Sequence, residues 1–177
     1  MNEKGLVIVF SGNGKGKTSA AIGISTRMAG WGKKVVYCAF FKKGSSGEFR
    51  TLKKIRGCRV LMFCCEHPAF SKDLEEEKFR KYFRSEWDRF LKKFSAIKKC
   101  DLLVLDEILV SVRDKLLNDT EIISFIDGAK RRDPITNFIL TGRGITEGII
   151  EIADIVTEMR CIKHPYPAMC AKKGVDW

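Results

Sequence analysis

The feature that most constrains this chain lies near its start. Residues 6–10, Leu-Val-Ile-Val-Phe, form an unbroken apolar run, and Ser11-Gly12-Asn13-Gly14-Lys15-Gly16-Lys17-Thr18 follows directly. A short β-rich run of this kind is how a parallel strand buried on both faces reads. The glycines at 12, 14 and 16 let the backbone curl until its N–H groups converge on one point. A helix opening at Lys17 adds the positive end of its dipole to the same point. Lys17 brings a full charge toward a polyphosphate, and Thr18 brings a hydroxyl suited to Mg²⁺. The usual form is G-x-x-x-x-G-K-[ST]; here Ser11 stands where its first glycine would be. A plain glycine–lysine turn would require neither the strand before it nor the helix after it. The stretch predicts a phosphate-binding loop, and with it an ATP-binding enzyme.

The rest of the chain alternates in the manner such a loop demands. Helices are predicted over residues 17–29, 73–99, 118–130 and 147–153, and strands over 34–41, 59–64, 102–105, 138–140 and 155–159. Residues 42–57 read as polar connection, with 44–47 as a clear loop. Asn118 or Asp119 is the expected N-cap of its helix. The tail from Cys161 carries Pro165 and Pro167 and is expected to be irregular. Strands separated by helices imply an α/β fold: a mostly parallel sheet of the P-loop NTPase type with helices on both faces, as a single domain over 1–177. Ligands of such sheets sit at the carboxyl ends of the strands.

Composition narrows the setting. The 177 residues are 45% hydrophobic, enough for one sizeable core. No apolar run approaches the length of a membrane span, and the first is too short for a signal peptide, so a cytoplasmic location is expected. The seven cysteines are odd in number and irregular in spacing, which points to reduced thiols rather than a disulfide framework. The formal charge of +11 is uneven: +5 over residues 1–41, +9 over 42–100 and −3 over 101–177. A basic segment can attract nucleic acid or polyphosphate. Residues 73–99, however, mix both signs. Their aromatics Phe79, Tyr82, Phe83, Trp87, Phe90 and Phe94 recur every three or four residues, the pattern of a buried helix stripe.

Two further motifs fall at strand ends. Asp106-Glu107 closes the apolar run 102–105, where P-loop proteins place acids that hold Mg²⁺ or orient water. Thr141-Gly142-Arg143-Gly144 follows the run 138–140, so Arg143 is expected beside the same edge, able to neutralise phosphate charge with its forked guanidinium. Cys64-Cys65-Glu66-His67 contains metal-ligand residue types but no partner cluster that would complete a site. On these residues alone, a P-loop ATPase module that binds nucleic acid through 42–100, or a small-molecule kinase, fits as well.

Taken in order, the segments resemble the P-loop corrinoid adenosyltransferases, which act on cob(I)alamin or cob(I)yrinic acid a,c-diamide. The resemblance rests on Gly12-Asn13-Gly14-Lys15-Gly16-Lys17-Thr18; on Val104-Leu105-Asp106-Glu107; on Leu140-Thr141-Gly142-Arg143-Gly144; and on Ala153-Asp154-Ile155-Val156-Thr157-Glu158-Met159-Arg160 with Lys163-His164 and Gly174-Val175-Asp176-Trp177. It implies that reduced cobalt attacks C5′ of ATP and that triphosphate leaves. It implies ATP held by Gly12, Asn13, Gly14, Lys15, Gly16, Lys17, Thr18 and Ser19, with Lys17 and Arg143 acting on the reaction. It implies Mg²⁺ on Thr18 and Glu107 with Asp106 in support. It also implies a homodimer, no membrane or nucleic-acid partner, and an electron-donor protein or flavin reductant for the corrinoid. Members often cover the lower corrin face with a Phe-x-Trp segment. Here the corresponding stretch runs to Phe70 without the Trp, and Phe70 is the aromatic that would take the role.

Overall fold

The computed structural model describes residues 4–42, 46–64, 76–163 and 172–174. Six strands lie in one sheet: β1 (Val7–Ser11), β2 (Val35–Phe40), β3 (Cys58–Phe63), β4 (Leu102–Asp106), β5 (Asn137–Thr141) and β6 (Ile155–Glu158), in the order β3-β2-β4-β5-β1-β6. Every strand pairing is parallel, so the sheet is wholly rather than mostly parallel. The helices are α1 (Lys17–Gly30), α2 (Gly47–Leu52), α3 (Glu76–Ser95), α4 (Ile108–Arg113), α5 (Asp119–Arg132) and α6 (Glu147–Ile152).

Strand alternation divides the core in two. On β2, Val36, Cys38 and Phe40 face the side covered by α3, α5 and α6. Val35, Tyr37 and Ala39 face the side covered by α1 and α2. All six β2 residues are buried, which is why the strand reads as a continuous apolar run. On α3 the stripe Phe79, Phe83, Trp87, Phe90 and Phe94 is buried as its spacing predicts, whereas Tyr82 is exposed. Four residues carry a helix round a little more than one turn, and the three-residue step to Tyr82 falls at the edge of the stripe.

The short helix α2 lies where connection was expected, and α4 lies in a stretch for which the sequence predicted no element. Each is six residues long, too short to show a helical period in the sequence. The capping reading at Asn118 holds: the Glu121 carboxylate accepts from the Asn118 N–H at 2.9 Å. Much of the basic charge on α3 is paired. Arg80 meets Glu76 at 2.8 Å and Lys81 meets Glu77 at 2.9 Å, one helical turn apart, while Arg84 reaches Glu121 and Arg89 reaches Glu86. The Glu86 carboxylate also accepts from the Cys64 N–H at 2.9 Å, tying the end of β3 to α3. Burial pushes its pKa up, but the Arg89 guanidinium and this N–H outweigh that and hold it below the ordinary value. Among the described residues, no helix is long and apolar enough to cross a membrane.

Cys38, Cys58, Cys100 and Cys161 are free thiols. Burial pushes Cys38 well above its ordinary pKa, Cys100 up to about 12 and Cys58 up to about 11. Cys161 is exposed. Iodoacetamide at pH 8 should label Cys161 at once. It should leave Cys38 and Cys100 untouched until the protein unfolds, a rate difference of at least about a hundredfold. Peptide mass mapping reads this directly, and equal native labelling of Cys38 and Cys161 would contradict the packing.

Candidate active site

The phosphate loop joins the end of β1 to the start of α1. Gly12 and Gly16 adopt φ of 96° and 107°, conformations costly for any side-chain residue. Gly14 is required for space, because a Cβ there would lie 2.7 Å from the carbonyl oxygens of Met159 and Arg160. That closeness is used: the Gly14 N–H donates to the Met159 carbonyl at 2.6 Å, and the Met159 N–H donates to Ser11 at 2.8 Å. The loop is thereby fastened to the carboxyl end of β6. Asn13, Lys15 and Ser19 are exposed.

Lys17 folds back into the loop. Its Nζ donates to the carbonyls of Gly12 and Gly14, both at 2.8 Å, and the residue is only 7% exposed. Burial lowers its pKa, and Glu107, the largest opposing influence, raises it again in part. A desolvated ammonium held by neutral carbonyls is poised to gain from an anion.

Asp106 ends β4 and is completely buried. Its carboxylate accepts from Thr18 Oγ1 at 3.0 Å and from Thr141 Oγ1 at 2.7 Å. Thr141 Oγ1 in turn accepts from the Glu107 N–H at 2.8 Å, so the ends of β4 and β5 are locked together. The acid that touches Thr18 is therefore Asp106, and Glu107 stands beside it in a left-handed turn with φ of 64°. Burial, and next the Asp106 charge, raise the Glu107 pKa; Lys42, Lys17 and Arg143 pull it back down. Lys42 lies on Thr18 and Asp106, Lys17 lies inside the phosphate loop, and Arg143 lines the cleft beside that loop.

Arg143 is exposed on the loop after β5. With Ser11, Gly12, Asn13, Ile145 and Val156 it lines a cleft of about 410 Å³ beside the phosphate loop. Its flanking glycines have a steric reason: a Cβ on Gly144 would meet Arg113 Cβ at 2.5 Å, and Gly142 packs on Leu109 with φ of 138°. Helix α4, invisible in the sequence, thus sets where Arg143 emerges. Among the described residues, a hollow of about 420 Å³ is lined by Trp87, Leu91 and Phe125 and by none of the expected site residues. Phe70 and Cys65-Glu66-His67 lie outside the described residues.

Sequence reasoning missed Lys42. It follows β2, and its Nζ donates to Thr18 Oγ1 at 2.8 Å and to Asp106 Oδ2 at 2.5 Å. The signal was present, since Lys42 stands just past the carboxyl end of a strand, where ligands of these sheets bind. Tyr37 was also missed. Its hydroxyl is the one buried side-chain polar atom without a hydrogen-bond partner among the described residues. Burial, then the Asp106 charge, raises the phenol pKa, so the hydroxyl keeps its proton. Hydroxyl and carboxylate oxygens around a point already filled by an ammonium suit a hard cation such as Mg²⁺.

The chain is similar to known proteins over nearly its whole length. The family model described as ATP:corrinoid adenosyltransferase BtuR/CobO/CobP matches residues 3–177. A corrinoid adenosyltransferase of Escherichia coli (strain K12) is 33% identical over 178 residues, covering 99% of this chain and 87% of that protein. The corrinoid adenosyltransferase CobA of Salmonella typhimurium is 32% identical over 176 residues, covering 99% and 87%. Among solved structures, the flagellar accessory protein FlaH from Methanocaldococcus jannaschii aligns with a TM-score of 0.56 at 14% identity, over 88% of this chain and 71% of that one. That likeness is one of fold.

Proposed function

This chain belongs to the ATP:corrinoid adenosyltransferase family, and from that membership we propose how its own residues serve the transfer. The substrates are ATP and a corrinoid, and the group moved is adenosyl. In the proposed step the electron pair of the reduced cobalt forms a bond to C5′. The C5′–O bond breaks, and its pair leaves on triphosphate. The nucleophile has no proton to lose, so the protein's task is electrostatic: to stabilise a departing polyanion.

The observation that supports this reading is the convergence of Lys17, Lys42 and Arg143 on the loop that ends in Thr18. Lys17 exchanges the Gly12 and Gly14 carbonyls for phosphate oxygens, and the loop N–H groups supply the rest of the cradle. Gly12, Asn13, Gly14, Lys15, Gly16 and Ser19 form the nucleotide-binding set. Arg143 approaches from the cleft side and adds its fork to the leaving group. Thr18, Asp106 and Glu107 would hold Mg²⁺, whose contribution when bound is to neutralise charge on the triphosphate. Phe70 is proposed as the aromatic against the corrin, and a homodimer, an external electron donor and a cytoplasmic setting complete the reading.

Product analysis tests the chemistry. Protein mixed with ATP, Mg²⁺ and chemically reduced cobalamin should yield triphosphate and adenosylcobalamin in equal amounts, read by anion exchange and by the corrin spectrum. Stoichiometric ADP with no adenosyl–corrinoid product would overturn the proposal, because a kinase or ATPase breaks the bond to the terminal phosphorus instead.

A further inference from the structure

Lys42 holds a place that a metal ion would want. Its ammonium touches the hydroxyl of Thr18 at 2.8 Å and the carboxylate of Asp106 at 2.5 Å. Asp106 is fully buried, and the Lys42 side chain is only 19% exposed. A buried carboxylate needs either a cation or donors, and here the loop acid has both: two threonine hydroxyls and one ammonium. The carboxylate of Glu48 on α2 lies 3.9 Å from the same Nζ. The lysine thus stands between two acids, one inside the phosphate loop's reach and one on the helix that follows it.

We propose that Lys42 is a built-in counter-ion that occupies the cation position between Thr18 and Asp106 in the metal-free protein, and yields it on metal binding by turning toward Glu48. This rests on the reading of Thr18 and Asp106 as metal ligands. It adds a competition that the ligand set alone does not contain. A metal ion held between the Thr18 hydroxyl and the Asp106 carboxylate would lie at contact distance from the Lys42 ammonium, and the repulsion between the two cations drives the ammonium out of that position. The ammonium neutralises the acid, which spares the fold an unpaired buried charge. It also makes free metal bind weakly, so that metal arrives most readily together with the polyphosphate that the loop attracts.

The test needs neither nucleotide nor corrinoid. Binding of Mn²⁺ to the free protein is followed by the electron paramagnetic resonance of the unbound ion. Lys42→Met should bind Mn²⁺ at least about tenfold more tightly than the wild-type protein, since a unit charge at contact distance is removed from the site. Arg143→Met, which removes a charge from the same edge but no contact to Thr18 or Asp106, should gain much less. Saturating Mg²⁺ should raise the melting temperature of Lys42→Met by more than that of the wild type, because binding to the folded state alone stabilises it. Lys42→Gln gives the same comparison should the Met variant fold poorly. Unchanged or weaker Mn²⁺ binding in the Lys42 variants, or an equal gain in Arg143→Met, would overturn the competition. Either result leaves the product analysis of adenosyl transfer standing, and a kinase-like product pattern leaves this binding test intact.

Discussion

Lys17→Ala should lower the rate of adenosyl transfer by about 10²–10³, the effect of removing one preorganised electrostatic contact to charge that develops in the transition state, while leaving the fold intact. The two halves of that expectation come from the same geometry. Nζ is buried and donates to the carbonyls of Gly12 and Gly14. Its pKa is lowered by burial, so the folded protein without ligand disfavours the charge. Removing the ammonium therefore relieves a desolvated cation, and the loop remains pinned by the Gly14 N–H on Met159. Thermal melting should show a midpoint equal to or above that of the wild type. The charge matters when triphosphate forms, because the leaving oxygen and its neighbours then present a full anion to that ammonium. Steady-state rates with saturating ATP and reduced cobalamin, beside a melt of each protein, separate the outcomes. A variant within tenfold of the wild-type rate would mean that Lys17 does not stabilise the leaving group. A large loss of stability would mean that it is structural.

Phe90→Ala should have the largest effect on stability, about 3–5 kcal/mol. Phe90 is fully buried at the centre of an aromatic cluster. Its ring centroid lies 5.0 Å from those of Trp87 and Phe125, 5.6 Å from Phe63 and 5.8 Å from Phe40. Truncation loses the transfer energy of the ring and leaves a cavity that these rings and Phe94, 6.1 Å away, must either collapse into or border. For a chain of this size that loss corresponds to a fall in melting temperature on the order of 10 °C. The consequence reaches the site, since Phe40 is the last residue of β2 and Lys42 follows two positions on. A loosened Phe40 weakens the anchor from which Lys42 reaches Thr18 and Asp106. Urea unfolding measures the first effect. A midpoint shift equivalent to less than about 1.5 kcal/mol would place the cluster outside the cooperative core.

The phosphate loop was legible because everything it needs is consecutive: a buried strand, three glycines, a lysine, a threonine and a helix start. Most strands were legible because burial on both faces leaves no polar interruption, and the long helices because a buried stripe repeats every three or four residues. Helices α2 and α4 were not, since six residues are too few to establish a period. The order of the strands was not either. It depends on which apolar edges pack side by side, and every strand presents nearly the same edge.

At the site the division is sharper. The sequence alone determined which residue types stand at the strand ends: the loop, the acids at 106 and 107, and the arginine at 143. Tertiary structure decided how they combine. It set Asp106 rather than Glu107 against Thr18, a contact between residues 88 positions apart. It turned Thr141 from a motif letter into the hydroxyl joining Asp106 to the Glu107 backbone. It brought Lys42 across 64 positions to the same carboxylate. The physical reason is that a charge's role is fixed by its distance to other charges and by how much water is excluded between them. Parallel pairing of β2, β4 and β5 sets both quantities by stacking strand ends that the sequence keeps far apart.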